Sequence, residues 1–123
     1  MDLFQLACFI EVLVADVVQV DGLLFIKEKA QPLAKLHLRI ASYNSPAEAQ
    51  SWLNIILLDG FITEAVGDEW NDDDPAAARI LSAISCAWSY QILAKLPSAQ
   101  FSIERVSDAE YGDFGVRLVG SVP

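Results

Sequence analysis

The strongest local signal in this chain is an Asp-Gly pair between two short apolar runs. Val17–Val20 precedes Asp21 and Gly22, and Leu23–Ile26 follows them. A two-residue type I′ turn needs positive φ at both central positions, and Asp followed by Gly satisfies this at little steric cost. The pattern therefore predicts a β-hairpin, which commits this part of the chain to antiparallel sheet.

The segment before this hairpin is apolar almost throughout, so its period must distinguish helix from strand. At helical spacing, four polar residues collect on one side of residues 2–20: Asp2, Gln5, Asp16 and Gln19. A period of two scatters them over both faces. We therefore predict a helix from about Asp2 to Ala15, with Phe9 and Val12 on the polar side. Glu11 falls on the opposite side, where we expect it to be paired or exposed.

The segment after the hairpin alternates between polar and apolar residues. Leu36, Leu38 and Ile40 would share one face of a strand, and Lys35, His37 and Arg39 would share the other. Such alternation is typical of a half-buried strand. It predicts a third strand that completes an antiparallel β-meander after Pro32.

Two further helices are indicated by their capping residues. Ser45-Pro46 and Asp74-Pro75 each combine a helix N-cap with a proline at the first helical position. The first of these helices is predicted to stop at Asp59-Gly60, and residues 61–66 are left open between strand and helix. The second carries an apolar stripe and ends before Pro97; the stripe consists of Ile80, Leu81, Ile84, Trp88 and Ile92.

The last quarter of the chain contains two alternating segments, residues 101–106 and 114–119, which predict a C-terminal β-hairpin around a loop from Ser107 to Asp113. With 123 residues the chain has the length of one domain. We predict a single compact α+β domain over residues 1–123, in which an N-terminal helix, the meander, two helices and this hairpin pack together.

Composition adds an acidic charge and an unusual apolar content. The net charge is −9, 54% of the residues are hydrophobic, and the mean hydropathy is +0.35. The longest stretch without a charge, residues 80–94, is too short to span a bilayer. No signal-peptide pattern opens the sequence, so we expect a cytoplasmic protein without a membrane partner. The apolar excess predicts a homodimer.

The acidic charge is concentrated in the middle of the chain. No basic residue lies between Arg39 and Arg79. The predicted loop from Gly67 to Asp74 carries the candidate partner-binding residues Asp68, Glu69, Trp70, Asp72 and Asp73. A tryptophan rimmed by charges can anchor a basic protein partner. The alternative is a solvated loop that caps the following helix, with Trp70 pinning it to the core.

Other chemistry finds little support in the sequence. His37 is the single histidine, and Cys8 and Cys86 lack metal-ligand spacing, so we expect no metal, no cofactor and two reduced, buried thiols. The glycines form no phosphate-binding motif, no catalytic serine motif is present, and the negative charge opposes direct nucleic-acid binding. The sequence therefore predicts no catalytic residues.

Three functions remain as hypotheses. The first is an acidic inhibitor or immunity-type protein that blocks a basic, nucleic-acid-binding or toxin partner by stoichiometric occlusion. The second is a dimeric secretion or assembly chaperone, or a structural subunit, that holds a client in an apolar groove. The third is a carboxylate-dependent enzyme, since paired acids leave no spacing signature.

Overall fold

The structure is a computed structural model that describes residues 1–108 and 112–123, with side chains for all of these except 29, 30 and 33. The helices are α1 (Leu3–Glu11), α2 (Lys27–Ala30), α3 (Leu33–Ala41), α4 (Pro46–Leu53), α5 (Asp59–Val66) and α6 (Pro75–Lys95). The strands are β1 (Val17–Val20), β2 (Leu23–Ile26), β3 (Ile55–Leu57), β4 (Gln100–Asp108) and β5 (Asp113–Ser121). The predicted α+β class is confirmed.

Both predicted hairpins are present. In the first, Val17 lies opposite Ile26, and the turn residues Asp21 and Gly22 adopt φ of 50° and 82°. In the second, β4 pairs with β5 along its whole length. This hairpin is longer than the sequence indicated, and residues 109–111 of its predicted loop lie outside the described part of the chain.

The five strands form one antiparallel sheet, in which β1 pairs with β2. Strand β4 pairs with one edge of β5 along its whole length, and β2 and β3 pair with different parts of the other edge. One face of this sheet packs against α6. The predicted stripe of α6 supplies the buried side chains Ile84, Trp88 and Ile92, while Ile80 and Leu81 are partly buried. The main hydrophobic core therefore lies between α6 and the sheet.

On the other face of the sheet, α3 packs over the β1–β2 hairpin. A smaller core forms there around Phe25 and Leu36, with Ile40 packed against it. The predicted third strand was wrong, because residues 35–40 belong to α3. Leu36 and Ile40 are four residues apart and so share a helix face as well as a strand face, whereas Leu38 points outward and is 73% exposed.

Helix α4 starts where its cap predicts and ends earlier than expected. The Ser45 hydroxyl accepts a hydrogen bond from the Glu48 amide at 3.1 Å. The predicted continuation to Asp59-Gly60 was wrong, because residues 55–57 leave the helix and pair with residues 115–117 of β5 as strand β3. Residues 61–66, which the sequence left open, belong to helix α5.

Strands β2 and β5 are joined mainly by side chains of α4. Their main-chain register is limited to Leu23 opposite Ser121. Beyond this pair, the buried Gln50 amide donates hydrogen bonds to the carbonyl oxygens of Leu24 at 2.9 Å and Gly120 at 2.6 Å. Its Oε1 accepts from the Gly120 N–H at 3.3 Å. The side chain thus takes the place that a neighbouring strand would occupy.

Asn54 continues this junction one helical turn later. Its Nδ2 donates to the carbonyl oxygens of Leu24 at 2.8 Å and Leu118 at 3.1 Å, and its Oδ1 accepts from the Ile26 N–H at 3.0 Å. The residue is completely buried. Every polar atom of its amide side chain is therefore used, as burial of a polar group requires.

The side of helix α1 that faces the core is the opposite of the predicted one. Gln5 is used in a capping box with Asp2. Phe9 and Val12, which were placed on the polar side, pack against the core, and Phe9 stacks on Phe61 with ring centroids 5.4 Å apart. The apolar side of α1 consequently faces outward, and Glu11 is exposed with it. No residue of α1 is fully buried.

Polar side chains of α6 hold the segment that joins α1 to β1. The Trp88 indole N–H donates to the Val12 carbonyl at 2.7 Å, and Gln91 bonds the Leu13 carbonyl at 2.7 Å. The Lys95 ammonium donates to Asp16 at 2.9 Å, and Lys27 lies 3.4 Å from the same carboxylate. The Lys95 hydrogen bond is the main reason why the pKa of Asp16 lies below its ordinary value of 3.8.

We expect Asn54→Ala to lower the free energy of unfolding by about 2 kcal/mol or more, because it leaves the Ile26 N–H and the Leu118 carbonyl buried without their side-chain partner. Asn54→Asp should also destabilise, because a carboxylate would face two carbonyl oxygens. Urea unfolding followed by circular dichroism measures both. Asn44→Ala, at an exposed asparagine, is the matched control. Equal stability of the Asn54 and Asn44 variants would contradict the role of the junction.

The ion pairs of Asp16 predict a pH-dependent contribution to stability. A carboxyl whose pKa is lowered by folding stabilises the protein above its unfolded pKa, and this contribution is lost as the pH falls through the lowered, folded pKa. The stability difference between the wild type and Asp16→Asn should therefore be largest near neutral pH and disappear in strong acid. Urea titrations of both proteins across this pH range test it, and a stability difference that does not change with pH would contradict it.

Candidate functional site: an aspartate-lined pocket

The predicted acidic loop is a loop in the structure, and Asp74 ends it by capping α6. The Asp74 carboxylate accepts a hydrogen bond from the Ala76 amide at 2.9 Å. Within the loop, Trp70 is half-buried and lies edge-on to Phe114, with ring centroids 5.5 Å apart. Its indole N–H donates to the Thr63 hydroxyl at 3.0 Å. Trp70 therefore attaches the loop to α5 and β5.

Asp72 is turned toward β4. Its carboxylate accepts a short hydrogen bond from the Ser107 hydroxyl, and the Arg105 guanidinium lies 3.9 Å away. Arg105 also donates to the main-chain carbonyl of Asp72 and sits over the Phe114 ring at 5.4 Å from its centroid. One guanidinium of the chain is thus already held between a carboxylate and this aromatic ring.

A cavity of about 480 Å³ lies between the acidic loop, α5 and the β4–β5 hairpin. Five aspartates from four segments of the chain line it: Asp59, Asp68, Asp72, Asp108 and Asp113. Phe114, which is buried, and Trp70 form its aromatic wall, with Thr63 and Asn71 as neutral polar groups. We call this cavity the acidic pocket.

The structure brings three of the predicted partner-binding residues into this pocket, namely Asp68, Trp70 and Asp72. Glu69 lines a smaller cavity of about 340 Å³ on the other side of Trp70. Asp73 is exposed, and its main-chain N–H donates to the side chain of Asn71 at 2.9 Å. The predicted set is therefore divided between the pocket and the outer rim of the loop.

Sequence reasoning missed the other three aspartates of the pocket. Asp59 lies at the start of α5, where its carboxylate accepts from the Phe114 N–H at 3.2 Å. Asp108 and Asp113 face each other across the end of the β4–β5 ladder. For Asp108 and Asp113, the only sequence signal was the predicted hairpin, whose turn would place both residues at one end of the sheet.

The pocket is suited to an organic cation. Carboxylates pair with guanidinium or ammonium groups, and an aromatic face attracts the same cations. Among the residues that the structure describes, no group of three or more Asp, Glu, His or Cys side chains is arranged to hold a metal ion. The carboxylates and the aromatic wall of the pocket are chemically suited to an arginine or lysine side chain.

Two other sequence predictions need correction. Cys8 and Cys86 are free thiols, as expected, but neither is buried: Cys8 is half-buried, and Cys86 is exposed on α6. Cys86 lies on the face of α6 that turns away from the sheet and also exposes Arg79 and Tyr90. His37 is exposed as predicted, although it lies on helix α3 instead of a strand.

A second cavity, of about 1140 Å³, lies around β3 and is lined from both sides of the sheet. Trp52, Leu57, Val106 and Arg117 line it on the outer sheet face, and Cys8 of α1, Phe61 of α5 and Trp88 of α6 line it from the other side. Trp52 is 57% exposed, and the Arg117 guanidinium lies 5.8 Å from its ring centroid. We call this cavity the sheet groove.

Comparison of the chain with protein-family models, with curated proteins and with solved structures finds no match. Within the described ranges, no helix is both long enough and apolar enough to cross a membrane.

We expect Trp70→Ala to destabilise the fold by about 2 kcal/mol, because it removes the contact with Phe114 and the hydrogen bond to Thr63. Trp70→Phe keeps a ring in place and should cost about half as much. Thermal unfolding measures both variants, and Trp52→Ala, at an exposed tryptophan, serves as the control. A Trp70→Ala variant as stable as wild type would show that the ring does not fasten the loop.

Proposed function

We propose that this chain is an acidic protein-binding module that occludes a basic partner, and that the acidic pocket admits an arginine or lysine side chain of that partner. The observation that carries the proposal is the convergence of five aspartates on one cavity with an aromatic wall. In this proposal the module binds stoichiometrically and carries out no chemistry.

The charges left unneutralised in the pocket support an incoming cation. Asp59 and Asp72 already accept hydrogen bonds from the chain itself. Asp68 and Asp113 make no such bond or ion pair with the described residues, and both line the cavity. A guanidinium that entered would find two free carboxylates and the Trp70 ring. Arg105 already has comparable partners, since it lies between Asp72 and the Phe114 ring.

The charge of the whole chain supports the same class of partner. A net charge of −9 attracts a positively charged protein over long range and accelerates its association. A partner that normally binds nucleic acid would present its phosphate-binding arginines to the pocket, so that the module competes with phosphate. The free thiols support action in a reducing compartment such as the cytoplasm, and the exposed apolar surface supports action as a homodimer.

A fluorescently labelled nona-arginine peptide provides a defined probe of the pocket. We expect it to bind wild-type protein, and we expect Asp68→Asn combined with Asp113→Asn to weaken binding at least fivefold and flatten its salt dependence. Fluorescence anisotropy titrations at several salt concentrations measure both effects. Asp72 is left unchanged because its contacts with Ser107 and Arg105 hold the loop.

Two control pairs separate the pocket from general acidity. Glu64→Gln with Glu104→Gln removes two exposed charges elsewhere, and Glu69→Gln with Asp73→Asn removes two charges from the outer rim of the loop. Both pairs should weaken binding less than twofold. If Asp68→Asn with Asp113→Asn and Glu64→Gln with Glu104→Gln lower the affinity equally, peptide binding depends only on the net charge and the proposal fails.

The sheet groove favours a second candidate, a chaperone or structural subunit that holds an apolar client. Leu57 and Trp52 are 44% and 57% exposed within this groove, and β3 leaves one strand edge unpaired within the described sheet. A client bound there would be insensitive to salt, and Leu57→Glu would release it. If the substitutions of Asp68 and Asp113 weaken binding and Leu57→Glu does not, the partner binds in the acidic pocket.

A further inference from the structure

Helix α1 exposes an apolar stripe that the chain itself leaves uncovered. Leu3, Phe4 and Ile10 are 82%, 76% and 55% exposed, and Leu6 is 41% exposed. The turns that follow the helix continue the stripe with Leu13 and Val14, which are 37% and 64% exposed. Monomeric proteins rarely expose a contiguous apolar patch larger than a few hundred Å².

The spacing within this stripe is that of a helix-pairing seam. Leu3, Leu6, Ile10 and Leu13 follow one another at intervals of three, four and three residues, which are the a and d positions of a heptad. Ala7, which is also exposed, keeps the side-chain bulk low between them and allows another helix to approach closely. The opposite side of α1 is already occupied, since Phe9 and Val12 pack on the core.

We infer that this stripe is the interface of a homodimer, in which α1 packs against α1 of a second copy of the chain across a two-fold axis. A seam of leucine and isoleucine complements itself, as an isologous interface requires. From the exposed fractions of its six side chains, the stripe offers on the order of 600 Å² of apolar area, against roughly 800 Å² on each side of a standard interface.

The charge of the chain determines which face two copies can share. Two copies that each carry −9 repel one another, and they approach at least cost where charges are few. The seam residues carry none, and Glu11 lies at their margin. This inference uses a different surface from the acidic pocket, so either proposal can fail while the other stands.

The test is the mass of the protein in solution. We expect light scattering at micromolar concentration to give twice the 13.5 kDa of one chain, both at low salt and in 1 M NaCl, because the seam is apolar. Leu6→Glu with Ile10→Glu should give a monomer with an unchanged circular dichroism spectrum, since both side chains are exposed in a single copy.

A matched control makes the same change on other helices. Leu38→Glu with Val66→Glu replaces side chains that are 73% and 67% exposed on α3 and α5, and this variant should remain dimeric. A wild-type mass of 13.5 kDa overturns the inference, as does a dimer that persists in Leu6→Glu with Ile10→Glu. If wild-type protein is monomeric and floats with zwitterionic lipid vesicles, the stripe is a lipid-binding face and the dimer is wrong.

Discussion

The sheet depends on two buried amide side chains, Gln50 and Asn54, which lie one helical turn apart on α4. They satisfy main-chain groups of β2 and β5 where these strands diverge. Because an unsatisfied buried amide or carbonyl costs on the order of 1–3 kcal/mol, the divergence is tolerable only while both side chains are in place. Helix α4 ends at this junction, and the chain continues directly into β3, which pairs with residues 115–117 of β5.

The acidic pocket follows from the same topology. Strand β5 carries Asp113 and Phe114 at its start, and α5 and the loop before α6 close around this end of the strand. Two of the pocket carboxylates already have partners within the fold, Asp59 in a main-chain amide and Asp72 in Ser107 and Arg105.

Sequence patterns predicted the features that local backbone chemistry determines. The Asp21-Gly22 turn and the caps Ser45 and Asp74 each depend on a few neighbouring residues, and all three are where they were expected. Features decided by distant contacts were missed. The alternation around Leu36 suits a helix face as well as a strand, and only packing on Phe25 selects the helix.

Dependence on distant contacts also explains why the sequence predicted only part of the candidate site. Asp68 and Asp72 were identified from one acidic segment, whereas Asp59 and Asp113 are 54 positions apart in the sequence and meet only because β5 packs beside α5.

The junction made by Gln50 and Asn54 has a further consequence. The Ile26 N–H is bonded to the Asn54 side chain, which can rotate away without breaking the ladder, so this amide would exchange with solvent before those paired main chain to main chain between β4 and β5.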